Sequence, residues 1–244
     1  GALRVVRADD DDLKNAFSGT AGSIKIKSTE HYNDLGYDGS TITGVTVAAR
    51  NPGSWANGLK VAIIDDLADQ VLTFSSLPTN IAVGYGVTQA IPANTVVAGS
   101  GTTSLLTGYF KGIVTEVDST NNKVSVKLLE SVTNAGVSTE ATYQPNGIYK
   151  FGNTSLGIHT TGQSTKYVSA TPTANVDWFD QQTIQLTNST INWNNIADRP
   201  GTSSYAAARD SRFDEVHVVV IDDEGEVSGL SLIHISEPTR RTII

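Results

Sequence analysis

Alternating and continuous apolar runs predict a chain built mostly from β-strands. Ser23 to Ser28 alternates apolar and basic residues, which is typical of a strand with one buried face. Residues 41–49 and 59–65 are rich in β-branched and apolar residues and predict two further strands, separated by a loop that contains Pro and Gly. Thr183 to Leu186 and Thr190 to Trp193 predict two short strands on either side of a polar turn.

The clearest hairpin signal lies in the middle of the chain. Tyr109 to Val117 and Lys123 to Leu129 both alternate, and the turn-forming residues Asp118 to Asn122 join them. The most apolar strand comes later, at Glu215 to Asp222, and it is of the kind found in buried, often parallel, strands.

Three short segments complete the prediction. Ala2 to Arg7 predicts a strand and Leu13 to Phe17 a short helix. Asp66 to Leu72 predicts a second helix, because Leu67 and Val71 would share one face at the spacing of a helical turn.

A change in amino-acid composition divides the chain. From about residue 75 to 107 it is low in charge and rich in Gly, Pro, Thr and Val. We therefore predict an α+β, mainly β protein in which a β-rich, barrel-like module at 69–155 is inserted between 1–68 and 156–229. The module is expected to protrude, with a core separate from that of 1–68.

Composition excludes several classes of function. Of the 244 residues, 39% are apolar, which is enough for a folded core. The net charge of −8 and the lack of a basic cluster argue against nucleic acid as a partner. No apolar run reaches the roughly 20 residues of a membrane-spanning helix, so no membrane partner is expected. There is no cysteine, and hence no disulfide or thiolate metal site.

Several polar motifs suggest a site but have a simpler structural interpretation. Asp9 to Asp12 groups carboxylates as calcium prefers, yet such runs are more often solvated loops. Asp118 to Asn122 lacks the Gly and the distal Glu of a calcium-binding loop and favours a turn. Gly84 to Gly86 and Gly99 to Gly101 lack the residues that complete a phosphate-binding loop. We predict no cofactor and no metal.

The histidines do not indicate catalysis either. His31, His159, His217 and His234 are widely scattered. A Ser-His-Asp arrangement could be drawn with His217 and Asp222, but the Gly-flanked turn that usually carries the serine is missing. His217 is therefore expected to be structural, and the sequence predicts no catalytic residue and no enzyme.

The end of the sequence has an unusual origin in our interpretation. Residues 230–240, LSLIHISEPTR, are what results from translating a transposase adapter used in short-read sequencing libraries. We therefore expect 230–244 to be adapter read-through that makes no native-like contacts, and the biological sequence to stop near Gly229. The chain would then be an internal fragment.

Three stretches resemble the tail sheath proteins of contractile bacteriophages (myoviruses). The first is ARNPGSWANGL at 49–59, ahead of a predicted strand. The second is DWFDQQT at 177–183, continuing to NSTI at 188–191. The third and most specific comprises RPGTS at 199–203, YAAA at 205–208 and DEVHVVVID at 214–222; the opening LRVVRADD at 3–10 is also similar.

The resemblance implies a structural role. A sheath subunit polymerises with other copies of itself in a helical lattice around the tail tube, ends at a baseplate, and contracts during genome delivery. The implied location is the virion tail, assembled in the host cytoplasm. The fold implied is a mixed-sheet sheath domain with a β-rich protrusion, and the family's N-terminal arm and C-terminal core domain would lie outside this chain.

Two alternatives remain open. A secreted β-rich adhesin or carbohydrate-binding module would need a groove lined by exposed aromatic rings, whereas we expect Trp55, Trp178 and Trp193 to pack in cores or against loops. A subtilisin-like hydrolase would need a serine within hydrogen-bond reach of His217.

Overall fold

The structure is a computed structural model that describes residues 12–34, 44–97, 104–159, 167–227 and 232–236. It is mainly β, as the sequence predicted, with 39% strand and 10% helix, and it contains a curled antiparallel sheet. The predicted strand at 2–7 lies outside the described residues.

Seventeen strands and two short helices are described. The strands are β1 Phe17–Gly19, β2 Val45–Ala48, β3 Leu59–Asp65, β4 Gln70–Thr73, β5 Gly86–Ala90, β6 Thr95–Val97, β7 Ser104–Leu106, β8 Tyr109–Asp118, β9 Lys123–Val132, β10 Ser138–Glu140, β11 Leu156–His159, β12 Tyr167–Ala170, β13 Ala174–Asp177, β14 Thr183–Gln185, β15 Thr190–Asn192, β16 Val216–Asp222 and β17 Leu232–Ser236. The helices are α1 Thr29–Asp34 and α2 Ser204–Ala207, and single 3-10 turns lie at Ser54–Ala56, Phe179–Gln181 and Trp193–Asn195.

The described chain divides into two compact units. One, which we call the sheet unit, comprises 64–185 and 189–216; the other, the small unit, comprises the described parts of 1–63, 186–188 and 217–239.

The sheet unit is organised around one eight-stranded sheet. Its strands run in the order β12-β11-β5-β8-β9-β4-β13, and β10 also pairs with β9. The predicted hairpin is confirmed: β8 and β9 pair antiparallel, with two irregularities in register. Strands from 156–177 join this sheet at both of its ends, so the sheet draws on more of the chain than 69–155.

The core of the sheet unit lies on one face of this sheet. The apolar core residues of β8 and β9, such as Phe110, Val114 and Val126, occupy alternate positions because successive strand residues point to opposite faces. The ring of Phe151 meets that of Phe110 edge-on, with the centroids 6.4 Å apart, and the tilted ring of Tyr149 lies 6.2 Å from Phe110. The other large buried side chains of this core are Leu72, Phe74, Val87, Val124, Leu128, Leu156 and Ile158.

Both predicted helices are wrong. Residues 13–16 have no regular secondary structure and lead into β1, and 66–69 form a loop before β4. β4 is held between β9 and β13, so Gln70–Thr73 gains ladder hydrogen bonds on both sides. Those tertiary contacts outweigh the local helical pattern of Leu67 and Val71.

The small unit contains two sheets of its own. β1 pairs antiparallel with β2, and β16 lies between β17 and β3. The alternation predicted at 23–28 is present, since Ile24 and Ile26 are buried, but no strand ladder forms there. Instead the buried Asn15 side chain exchanges hydrogen bonds with the backbone of Ile26, at 2.6 and 3.1 Å.

The end of the described chain contacts the strand before it. The backbone of Leu232–Ser236 pairs antiparallel with β16, and the expectation that 230–244 makes no native-like contacts stays a prediction. An alternating apolar segment can add to the edge of a strand whatever its origin. The predicted strand at Glu215 to Asp222 is confirmed as β16, although this pairing is antiparallel and not parallel.

Candidate functional site

A cluster of buried charges is the most distinctive polar feature of the sheet unit. It consists of five side chains, which we call the charge cluster: Asp66, Asp69, Lys127, Asp177 and Arg199. The loop before β4 supplies the first two, and β9 and β13 supply Lys127 and Asp177. Arg199 comes from the segment after β15.

Arg199 connects three parts of the sheet unit. Its guanidinium pairs with the Asp177 carboxylate and donates a second hydrogen bond, of 2.9 Å, to the carbonyl of Ala68. Its charge also lies over the rings of Tyr143 and Phe179, 5.5 and 5.6 Å from their centroids. The planar guanidinium suits this combination of a fork of donors and aromatic contacts.

Lys127 is a buried cation on β9. Its ammonium lies 3.1 Å from the Asp66 carboxylate and donates to the Asp66 carbonyl. It also sits 3.4 Å from the centroid of the Phe213 ring, a cation–π contact. One Asp66 oxygen, Oδ1, has no hydrogen-bond partner among the described residues, and Arg199 lies 3.8 Å from it.

Asp69 is the group in this cluster that titrates near neutral pH. Burial raises the pKa of its carboxyl to about 6, because the charged form loses hydration. The hydrogen bond that it accepts from the Leu128 backbone, at 2.6 Å, acts in the opposite direction, and the nearby Asp66 carboxylate adds to the rise.

Tyr143 closes the cluster on the side of Asp177. Burial raises the pKa of its hydroxyl above the usual range, and the Asp177 carboxylate, which accepts its hydrogen bond, adds to the rise. Asp177 also accepts a 2.8 Å hydrogen bond from the Phe179 backbone. Tyr143 therefore stays protonated and acts as a donor.

The arrangement fastens one segment to another and offers little for chemistry. Three carboxylates face two cations, so the cluster is neutral when Asp69 is protonated. Each cation is fixed between a carboxylate and an aromatic ring, and no group of three or more potential metal-ligating side chains occurs in the described ranges. Buried pairs of this kind cost much to break and so specify one packing of the segment that carries Arg199.

The motifs that we interpreted as turns behave accordingly. Asp118 Oδ1 accepts hydrogen bonds from the backbone of Thr120 and Asn121, at 3.0 and 3.1 Å. Gly84 has φ of 87°, a turn conformation that favours glycine. Asp9 to Asp11 and Gly99 to Gly101 lie outside the described residues.

Among the described residues, no serine, histidine and aspartate come together as a Ser-His-Asp site. His217 lies in β16, its Nδ1 is buried, and no hydrogen-bond partner for that atom is found in the part of the chain that is described. His31 accepts a 3.1 Å hydrogen bond from the Lys27 backbone, and His159 pairs with Thr88 at 2.8 Å. The three described histidine side chains thus have separate surroundings.

Sequence reasoning did not find the charge cluster. The sequence carries no signal for it, because Lys127 falls on the polar phase of the alternating run of β9, with Lys123 and Ser125, and is nevertheless buried in the fold. The members of the cluster come from four separated segments that only the fold brings together.

Comparison with known proteins found no relative of this chain. No family model, curated protein or solved structure matches the chain. Within the described residues, no helix has the length and apolar character needed to cross a membrane.

Proposed function

We propose that this chain is a structural subunit of a contractile bacteriophage tail sheath, which polymerises with copies of itself around the tail tube. The observation that carries the proposal is a contact between two of the resembling stretches. Arg199, from RPGTS, pairs with Asp177, from DWFDQQT, and lies over the ring of Phe179 in the same stretch. These two stretches are therefore in direct contact within the sheet unit.

The first resembling stretch also has a structural role. Residues 49–59 form a loop that contains the 3-10 turn Ser54–Ala56 and leads into β3, in agreement with a motif that precedes a strand. Gly53 adopts φ of 133°, which a residue with a side chain rarely does. The backbone conformation at this position therefore explains why the motif has a glycine there.

Open strand edges suit a subunit that polymerises. Among the described strands, β12 and β13 are the outermost members of the large sheet, and each has one edge without a strand partner. Such edges can accept a strand from another chain. In a sheath the other chain would be a neighbouring subunit.

The genes on either side of this sequence test the proposal. Sequencing outward from the source DNA should reveal a gene for a tail tube protein next to it, since phage structural genes that act together are grouped. A neighbourhood of secreted hydrolases or surface adhesins, with no phage tail genes, would contradict the proposal.

The hydrolase alternative leads to a prediction. A fluorophosphonate probe should not label this chain, because no hydrogen bond activates a serine through His217 in the described residues. Labelling would be read by mass spectrometry, with a serine protease as the positive control. A single labelled serine whose labelling is lost in His217→Ala would show that the chain is a hydrolase instead.

The positions of the three tryptophans do not support the adhesin alternative. Trp178 and Trp193 are buried, at 5% and 4% exposure, and only Trp55, at 37%, presents its ring to solvent. The tryptophans therefore do not form a shared binding platform.

A further inference from the structure

The outer face of the large sheet, opposite its core, carries a groove of about 860 Å³. Residues of β5 and β11 that point to the core, such as Val87 and Ile158, are buried, so their neighbours Gly86, Thr88 and Gly157 point outward. The groove lies within the sheet unit, and its volume is in the range of small-ligand sites.

The floor of the groove is a row of outward-facing positions across four strands. Ser169, Gly157, Thr88 and Lys111 are successive partners across β12, β11, β5 and β8, and all but Lys111 are small. The Thr88 hydroxyl and the His159 imidazole lie over Gly157, 2.9 and 3.6 Å from the position of an added Cβ. A Cβ added at Gly86 would meet nothing closer than His159 Cβ, at 3.8 Å, so the space above it is open.

The walls carry groups that both donate and accept hydrogen bonds. Thr88 and His159 are joined at 2.8 Å, and the hydroxyls of Ser155 and Ser169 at 2.6 Å. The amide of Asn134 also lines the groove. Hydroxyl, imidazole and amide groups match ligands that present several hydroxyls.

Two further features define the class of ligand. Tyr109 lines the groove with 37% of its surface exposed, so its ring can cover the apolar face of a sugar. Lys111, the cation in the groove, lies 3.4 Å from the Glu130 carboxylate and is therefore neutralised. Charge complementarity favours a neutral ligand.

We propose that this groove binds a short neutral oligosaccharide, with the ring of Tyr109 against one sugar and the hydroxyl and imidazole groups of Thr88, Ser155 and His159 bonded to sugar hydroxyls. The site does not depend on the sheath proposal, and it would give the chain a second function, attachment to a glycan. It uses none of the residues of the charge cluster.

Titration of the isotope-labelled 244-residue chain with maltotriose, cellotriose and chitotriose, followed by amide NMR, tests the proposal. At least one of the three should shift amides in 86–90, 109–112 and 155–159. Tyr109→Ala should weaken that binding about tenfold, whereas Tyr109→Phe should retain it. Gly86→Val should abolish binding, because its branched side chain fills the groove, while the added Cβ makes only ordinary van der Waals contacts, 3.8 Å from His159 Cβ and 4.0 Å from the Gly112 carbonyl oxygen.

Thr183→Val is the matched control, since it places the same side chain on an exposed strand position outside the groove and should bind like the parent. The dispersed amide spectrum of each variant reports whether it is folded. The proposal is overturned if none of the trisaccharides shifts the groove amides, or if folded Gly86→Val binds as well as the parent. It is also overturned if only a sulfated trisaccharide binds and salt removes the binding.

Discussion

Arg199→Ala is expected to lower the free energy of unfolding of the sheet unit by about 3 to 5 kcal/mol. The Asp177 carboxylate would lose its cation while remaining buried, and the carbonyl of Ala68 would lose its donor. The side chain is only 22% exposed, so water replaces these contacts poorly. Urea unfolding followed by tryptophan fluorescence measures the loss, because Trp178 and Trp193 are buried in this unit.

Arg209→Ala is the matched control for that measurement. Arg209 also lies over a tyrosine ring, 3.6 Å from the centroid of Tyr205, but on the exposed surface, where the contact is worth about 0.5 to 1 kcal/mol. Arg199→Lys should fall between the parent and Arg199→Ala, since it keeps the charge without the fork of donors. If Arg199→Ala were as mild as Arg209→Ala, the charge cluster would not hold the segment in place.

Asp69→Asn is expected to remove a pH dependence of stability. Because the pKa of folded Asp69 is raised to about 6, its contribution to stability is fully present below the unfolded pKa and is lost as pH rises through 6. The loss amounts to about 3 kcal/mol between pH 4 and pH 8, from roughly two pKa units at 1.36 kcal/mol each. Asparagine does not ionise and can still accept the hydrogen bond from Leu128.

The variant should therefore match the parent near pH 4 and exceed it at pH 8, by about 2 to 3 kcal/mol. The urea midpoints of the parent and of the variant are measured across this pH range and subtracted. The contributions of other titrating groups are the same in both proteins and cancel in this difference. Asp198→Asn, at an exposed position, is the matched control for the substitution itself. A difference between Asp69→Asn and the parent that does not change with pH would mean that Asp69 is ionised in the fold without cost.

The strands that could be predicted have local signals. β8 and β9 show both the alternation of a half-buried strand and the polar turn between them, and β16 is a single apolar run. The errors at 13–17 and 66–72 have the opposite cause. There, partners distant in sequence decide the conformation: the backbone of Ile26 for Asn15, and β9 and β13 for Gln70–Thr73.

Neither the charge cluster nor the groove could be located in advance. In the cluster, Asp66 and Arg199 meet only because the chain between them forms the sheet. In the groove, the relevant fact is the register that sets Gly157 beside Thr88 and Gly86 beside His159. Sequence patterns predict which residues form strands, but register across distant strands depends on the complete fold.

Negative-stain electron microscopy of the protein encoded by the open reading frame that contains this sequence tests the proposed polymerisation into a sheath. We expect hollow tubes of regular diameter, with a helical repeat, when that protein is expressed alone or together with a phage tail tube protein. Dispersed monomers under both conditions, with the protein folded and at high concentration, would contradict it.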